Sequence, residues 1–119
     1  MGIRLKRAYE PAATSDGYRI LIDRIWPRGV ARKDARLDEW ARELAPSAEL
    51  RRWFGHDPAR FEEFRRRYVE ELAAQEEKLR ELRRHARERT LTLVYGARDT
   101  EHNDALVLAE LLRRGGRAQ

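Results

Sequence analysis

The fold is decided by the stretch Leu91-Thr-Leu-Val-Tyr95-Gly-Ala-Arg98-Asp99-Thr-Glu-His102-Asn103. Its first five residues are apolar or β-branched, which is typical of a buried strand, and the polar side chains that follow lead into a helical pattern. The same order occurs earlier, where Ile20-Leu-Ile-Asp23 precedes Arg24-Ile-Trp26-Pro27-Arg28-Gly29. Because ligands usually bind at the carboxyl edge of an open α/β sheet, the two strand ends predict a binding site.

The pattern of apolar residues predicts which segments form the strands of the sheet. Residues 3–6 alternate apolar and charged side chains, as a half-exposed strand does, and the orientation of this strand is left open because its connection is short enough for a hairpin. About 65 mostly helical residues separate the two apolar strands, which fits a parallel pairing through a crossover. We therefore expect residues 1–119 to form a small, single α/β domain. Its short, mainly parallel sheet would be covered by helices in a Rossmann-like, three-layer arrangement.

Apolar residues at helical spacing predict five helical segments beyond the second strand. Ser47 and Asp57-Pro58 are typical helix starts, whereas Pro46, Gly55 and Gly115-Gly116 are typical ends. The predicted segments are residues 37–44, 47–54, 57–72, 79–86 and about 101–114.

Composition narrows the functional classes. The chain has no cysteine, which excludes disulfides and thiolate chemistry and favours a reducing cytoplasm. No apolar run approaches the roughly 20 residues of a membrane span, and there is no charged-then-apolar leader. A metal site would depend on His, Asp and Glu, and Asp99-Thr-Glu-His102 lacks a matching pair of histidines. We therefore predict a cytoplasmic protein with no metal, no cofactor and no membrane contact.

The excess of basic over acidic residues is confined to the first third of the chain. Residues 1–36 carry 9 Lys/Arg and 4 Asp/Glu, a surplus of 5, whereas residues 37–119 carry 17 of each. A bias of the genome or of a heat-adapted host explains frequent arginine, but it does not explain where the surplus lies. Its location suits a local anion pocket better than a duplex-binding face.

Arginines at the two strand ends predict an anion site. If the strands are parallel neighbours, Arg24, Arg28 and Arg98 converge, and the guanidinium fork matches phosphate or carboxylate. In the alternative, Asp23 and Asp99 pair with these arginines internally. The predicted ligand-binding residues are Asp23, Arg24, Trp26, Arg28, Tyr95, Arg98 and Asn103, with Trp26 and Tyr95 as stacking walls for a nucleotide-like ligand.

His102 and Asp99 are the candidate catalytic residues. His102 lies in the first turn of the last helix, where the helix dipole favours the neutral imidazole, and a neutral imidazole beside Asp99 suits a general base. No nucleophile is evident, so an enzyme of this kind would be a hydrolase or transferase in which water or the substrate attacks. A purely structural histidine, and a helix-capping role for Asn103, are the alternatives.

A non-catalytic nucleic-acid- or protein-binding module is the alternative function. Its support is the overall basicity and the arginine-rich helical segments 51–52, 65–67 and 83–84. However, glutamates accompany these arginines at helical spacing, and Glu62-Glu63 would lie at the start of the recognition helix of a helix-turn-helix. Nucleic acid is therefore the less favoured partner, and the oligomeric state is left open.

Six motifs in order resemble the bacterial YeaO-like proteins, which belong to the domain of unknown function 488 (DUF488) family. The resemblance covers nearly the whole chain, with Ala12 a small departure where such proteins often have a second proline. It implies a compact α/β domain without a known cofactor, and it implies no particular activity. The motifs are Ile3-Arg-Leu-Lys-Arg, Asp16-Gly-Tyr-Arg, Asp23-Arg-Ile-Trp-Pro-Arg-Gly29, Leu44-Ala-Pro-Ser47, Trp53-Phe-Gly-His-Asp-Pro58 and Tyr95-Gly-Ala-Arg-Asp-Thr-Glu-His-Asn103.

Overall fold

All strands of the sheet in the computed structural model, which describes residues 2–117, run parallel. β4 pairs with β1 on one side and with β2 on the other, and β3 adds an edge beside β2. Since β4 lies between β1 and β2, the first strand is not part of a hairpin, and the orientation left open by the sequence is parallel. The strands are β1 (Gly2–Arg7), β2 (Tyr18–Leu21), β3 (Glu39–Trp40) and β4 (Thr90–Tyr95).

β4 is buried from Leu91 onward because both faces of the sheet are covered. Leu93 and Tyr95 face the main core, which the helices after β3 complete. On the opposite face, Val94 packs beside Leu21 and Leu37, under the segment that connects β2 to β3. The predicted three-layer α/β fold is confirmed, and its parallel strands have the continuous apolar sequence that two-sided burial requires.

Local capping explains where the helices begin. Ser47 Oγ accepts a hydrogen bond from the backbone N–H of Leu50, and the Asp57 side chain accepts one from Ala59, which caps the short 3₁₀ turn before α3. Gly55 ends α2 in a left-handed conformation. These predicted starts and this stop are confirmed. The helices are α1 (Arg32–Ala35), α2 (Ala48–Phe54), α3 (Phe61–Leu72), α4 (Glu76–Glu88) and α5 (Asp104–Arg117).

The predicted helix over residues 37–44 is wrong. Glu39–Trp40 is an edge strand, and only Arg42–Leu44 forms a 3₁₀ turn. The backbone N–H groups of Asp38 and Ala41 both donate to carbonyl groups of β2, each over 2.8 Å. Hydrogen bonding to the free edge of β2 therefore determines the conformation of this segment. The helical spacing of only three apolar residues was too weak a basis for predicting a helix.

Both predicted ends of the last helix also differ from the structure. Asp99 accepts hydrogen bonds from the backbone of Glu101 and His102, so these residues form a turn and α5 begins at Asp104. At the other end, α5 runs through Gly115-Gly116 to Arg117, because glycine permits a left-handed stop without enforcing it. The sequence also predicts that the last few residues are frayed, and of these, residues 118–119 lie outside the described part of the chain.

The carboxyl ends of the parallel strands all lie at the same edge of the sheet. The segments that follow the strands therefore meet there and form the candidate site. The segments that follow β2 and β4 are joined there by a hydrogen bond of 2.8 Å from the backbone N–H of Gly96 to Asp23 Oδ2.

None of the helices within residues 2–117 has both the length and the apolar character that are needed to span a membrane.

Candidate functional site

A cleft of about 370 Å³ opens at the carboxyl ends of β2 and β4. Its apolar wall includes Phe54 of α2 and Phe64 of α3, whose rings stack with centroids 4.3 Å apart. Its polar lining has four kinds of group: two carboxyl groups, three guanidinium groups, two imidazoles and one amide. These belong to Asp23 and Asp104, to Arg24, Arg51 and Arg52, to His56 and His102, and to Asn103.

Asp23 is held where β2 ends. Its carboxylate accepts the hydrogen bond from Gly96, and a Cβ at Gly96 would lie 3.2 Å from Asp23 Oδ2, so residue 96 has little room for a side chain. Burial raises the pKa of Asp23, although hydrogen bonds from Asp104 and Gly96 and the charge of Arg51 act in the opposite direction. Asp23 was predicted as a site residue, and it does line the cleft.

Asp104 is the partner of Asp23, and the sequence analysis missed it. It occupies the first position of α5, where an acidic residue is normally explained by the helix dipole alone. Burial raises the pKa of Asp104 well above its ordinary value, and the neighbouring Asp23 carboxylate, to which it donates a hydrogen bond, raises it further. Two carboxyl groups in contact favour a shared proton, because both cannot ionise without strong repulsion.

We expect Asp104→Asn to stabilise the protein at neutral pH by about 1 kcal/mol, because asparagine makes a similar hydrogen bond without the cost of ionising a second carboxyl group. A carboxyl group whose pKa is raised by folding contributes stability below its unfolded pKa of about 3.9, and this contribution is lost as pH rises through the folded pKa. The advantage of the variant should therefore grow from about pH 4 upward. Urea unfolding of both proteins across pH measures it, and an advantage that shrinks as pH rises would contradict the shared proton.

The three arginines of the cleft have no partner among the side chains that the structure describes. Within that part of the chain, the side chains of Arg24, Arg51 and Arg52 make neither an ion pair nor a hydrogen bond. Arg51 Nε is moreover buried without a hydrogen-bond partner. A buried N–H donor left unpaired costs roughly 1–3 kcal/mol, so this atom identifies a position where an acceptor is missing.

His102 also lines the cleft, and contacts with its neighbours hold its ring in place. Its Nδ1 is 2.9 Å from Asp99 Oδ2, its ring meets the edge of Phe61, and its side chain is 32% exposed. Hydrogen bonds from Glu101 and the side chain of His102 lower the pKa of Asp99. The structure thus brings the two candidate catalytic residues into contact, with the imidazole lining the cleft.

The side chains of Asn103 and Tyr95 make contacts that stabilise the fold. Asn103 is 2% exposed, donates through Nδ2 to the carbonyl oxygen of Asp99 and accepts from the backbone N–H of Leu106. Asn103 therefore caps α5, which was the alternative interpretation of this residue, and it also lines the cleft as a predicted site residue. Tyr95 is buried in the main core, and it is absent from the cleft lining.

The structure does not bring the other predicted ligand-binding residues into the cleft. Trp26 packs edge to face against Trp40, with its Nε1 donating to the carbonyl oxygen of Val30. Arg28 and Arg98 are exposed and, like Trp26, are not part of the cleft lining. Of the three arginines predicted to converge, Arg24 alone lines it.

Arg51 and Arg52 are polar lining residues that sequence reasoning did not assign to the site, whereas the sequence left His56 open between this site and the cap of a turn. The two arginines were grouped with the basic helices, since nothing in the sequence indicates that α2 packs across the carboxyl edge of the sheet. His56 offers a weak signal, because it follows Gly55 and adopts a left-handed conformation with φ of 57°. Backbone strain of this kind is frequent at functional sites.

The basic segment of α3 carries matched charges. Arg66 pairs with Glu63 and Glu70, and Arg67 pairs with Glu63. Arg65 pairs with Glu62 and with Glu110 of α5. The basic segment of α3 therefore offers no continuous positive face. Over residues 2–117, no group of three or more histidine and carboxylate side chains is arranged to hold a metal ion.

The fold and the cleft together define a parallel α/β domain with a polar cavity at the carboxyl edge of its sheet. The chain belongs to the DUF488 family, because a family model described as "Inactive DUF488-N3 subclade" matches residues 2–118. This confirms the resemblance to the YeaO-like proteins.

Relatives span almost the full chain. It is 49% identical over 113 residues to the uncharacterized protein YeaO of Escherichia coli (strain K12), which covers 95% of this chain and 98% of that protein. It is 44% identical over 110 residues to the uncharacterized proteins Rv3073c of Mycobacterium tuberculosis and Mb3100c of Mycobacterium bovis, covering 92% of each chain. No solved structure gave a significant match.

Proposed function

We propose that the cleft binds a small phosphate-bearing ligand and does not transform it. The observation that carries this proposal is the set of three arginines that line the cleft with no partner among the described residues, one of them with a buried, unpaired Nε–H. Guanidinium groups bind phosphate through paired hydrogen bonds, and such a ligand would supply the missing acceptor. The description of the subclade as inactive favours binding over catalysis.

The carboxyl pair is compatible with an anionic ligand. A shared proton between Asp23 and Asp104 reduces the negative charge of the pair, while Arg24, Arg51 and Arg52 each keep a full positive charge. The cationic groups therefore exceed the anionic ones within the cleft. This supports the predicted class of ligand, although with a different set of arginines from the one that the sequence suggested.

Arg51→Met should weaken phosphate binding at least tenfold, whereas Arg98→Met should change it less than twofold. The first substitution removes the guanidinium that has the unpaired donor, and the second removes one at a strand end outside the cleft. Isothermal titration calorimetry with inorganic phosphate and with phenyl phosphate measures both effects. No binding to the wild type at millimolar phosphate would overturn the proposal, and equal losses in the two variants would place the ligand outside this cleft.

A hydrolase or transferase is the second candidate, and the contact between His102 and Asp99 beside the cleft favours it. The same phenyl phosphate samples test it through the release of phenol. Release that is catalysed by the wild type and lost in His102→Ala would contradict a purely binding role.

The other predicted properties have weaker support. The ion pairs of Arg65, Arg66 and Arg67 leave no continuous basic face on α3, so nucleic acid is not proposed as a partner. The absence of cysteine supports a cytoplasmic location, as the sequence predicted.

A further inference from the structure

We propose that the ligand is a sugar phosphate, whose hydroxyl groups bind the Asp23–Asp104 pair while its phosphate binds the arginines. This inference rests on the proposed function and adds the identity of the second part of the ligand. It joins three features of one cleft: the carboxyl pair, the unpaired guanidinium groups and the stacked aromatic wall.

The carboxyl pair matches hydroxyl groups in its hydrogen-bonding capacity. Asp23 Oδ2 accepts the hydrogen bond from Gly96, and the acid proton of the pair is used in the hydrogen bond between the two carboxyl groups. The lone pairs that remain on the carboxyl oxygens can accept hydrogen bonds from a ligand. A hydroxyl group both donates and accepts, and neighbouring hydroxyls on a sugar ring present this combination twice over a short distance.

A cationic group is a poorer match for the same carboxyl pair. The Arg51 guanidinium already acts on Asp23 as a neighbouring positive charge. A ligand amine placed beside Asp23 would be repelled by the Arg51 guanidinium, whereas a neutral hydroxyl group would not. The surroundings of the pair therefore select a neutral, hydrogen-bonding moiety.

The size and the apolar wall of the cleft point to a ligand larger than phosphate. A volume of about 370 Å³ lies within the range of small-molecule sites, roughly 300–1,000 Å³. The Phe54 and Phe64 rings provide a surface against which the carbon atoms of a sugar ring can pack. Inorganic phosphate at the arginines would leave both this wall and the carboxyl pair without a contact.

The test compares two phosphate monoesters that have the same charge. Calorimetry should give ribose 5-phosphate a dissociation constant at least tenfold lower than that of butyl phosphate, which has no hydroxyl groups. Asp104→Asn should reduce this ratio to less than threefold, and Asp23→Asn serves as a second variant of the pair. The exposed Asp34→Asn should keep the wild-type ratio, and circular dichroism verifies that each variant is folded.

The outcomes separate the two proposals. If both esters bind the wild type equally, the sugar inference is overturned while phosphate binding stands. If neither ester binds, the proposed function itself fails. A wild-type preference for the sugar that persists unchanged in both carboxyl variants would also overturn the role of the pair. The comparison of esters in the wild type requires no variant to fold.

Discussion

Asp16→Asn is expected to lower the free energy of unfolding by about 3–5 kcal/mol, because it leaves a buried arginine without its counter-ion. The Asp16 side chain is 0% exposed, and Arg19, which is 4% exposed, donates to it over 2.7 Å. Lys6 Nζ lies 3.1 Å from both carboxylate oxygens, and the backbone N–H of Ala13 donates over 3.0 Å. An amide cannot replace a carboxylate that accepts from all of these groups at once.

The loss should depend on pH in a defined direction. Burial alone raises the pKa of Asp16, but hydrogen bonds from Ala13, Lys6 and Arg19 outweigh burial and lower it. A carboxyl group with a lowered folded pKa contributes stability above its unfolded pKa of about 3.9, and this contribution is lost as pH falls through the folded pKa. The gap between wild type and variant should therefore narrow as the pH falls below about 4.

Urea unfolding at several pH values measures this gap. Asp34→Asn is the matched control, since Asp34 is exposed, and it should change the free energy of unfolding by less than about 0.5 kcal/mol. A loss for Asp16→Asn that is as small as that of the control would show that the buried ion cluster contributes no net stability.

Gly17→Ala should destabilise the protein by about 2–4 kcal/mol, because both its backbone conformation and its close packing exclude a side chain. The residue has a φ of 65°, which L-residues rarely adopt. A Cβ there would overlap the carbonyl oxygen of Thr90 and lie 2.9 Å from its carbonyl carbon. Backbone atoms at the start of the central strand cannot move aside without disturbing the sheet.

Gly29→Ala separates the two causes. Gly29 also has a positive φ, 81°, but a Cβ there would have no atom within 4 Å. This control should therefore lose only the conformational part, about 1–2 kcal/mol. Thermal or urea unfolding of the two variants gives the difference, and equal losses would rule out the steric part of the effect at Gly17.

The boundaries of strands and helices were predictable where a local cause dominates. The continuous apolar run of β4 marked a strand buried on both faces, and the capping residues Ser47 and Asp57 marked helix starts. Asn103 as a helix cap belongs to the same group, because its hydrogen bonds involve only neighbours along the chain. Glu39–Trp40 forms a strand because it pairs with β2, which is distant in sequence. Hydrophobic periodicity does not detect such a partner, and it wrongly predicted a helix there.

The candidate site was predictable only in part. Asp23 and Arg24 follow a strand whose end could be located from the sequence, and both line the cleft. Asp104 and Arg51 could not be assigned, because each has an ordinary helical explanation within its own segment. Their role depends on how α5 and α2 pack across the edge of the sheet.

The sequence by itself determined the fold class, the order of most elements and the edge of the sheet where polar groups gather. These features depend on burial patterns, turns and caps, which act over a few residues. Tertiary structure alone decided which charges meet. It placed Asp16 in a buried ion cluster, Asp104 against Asp23, and Arg51 in the cleft without a partner. Electrostatic contacts join residues that are far apart in the chain. No local sequence pattern indicates which of these residues lie close together in the folded protein.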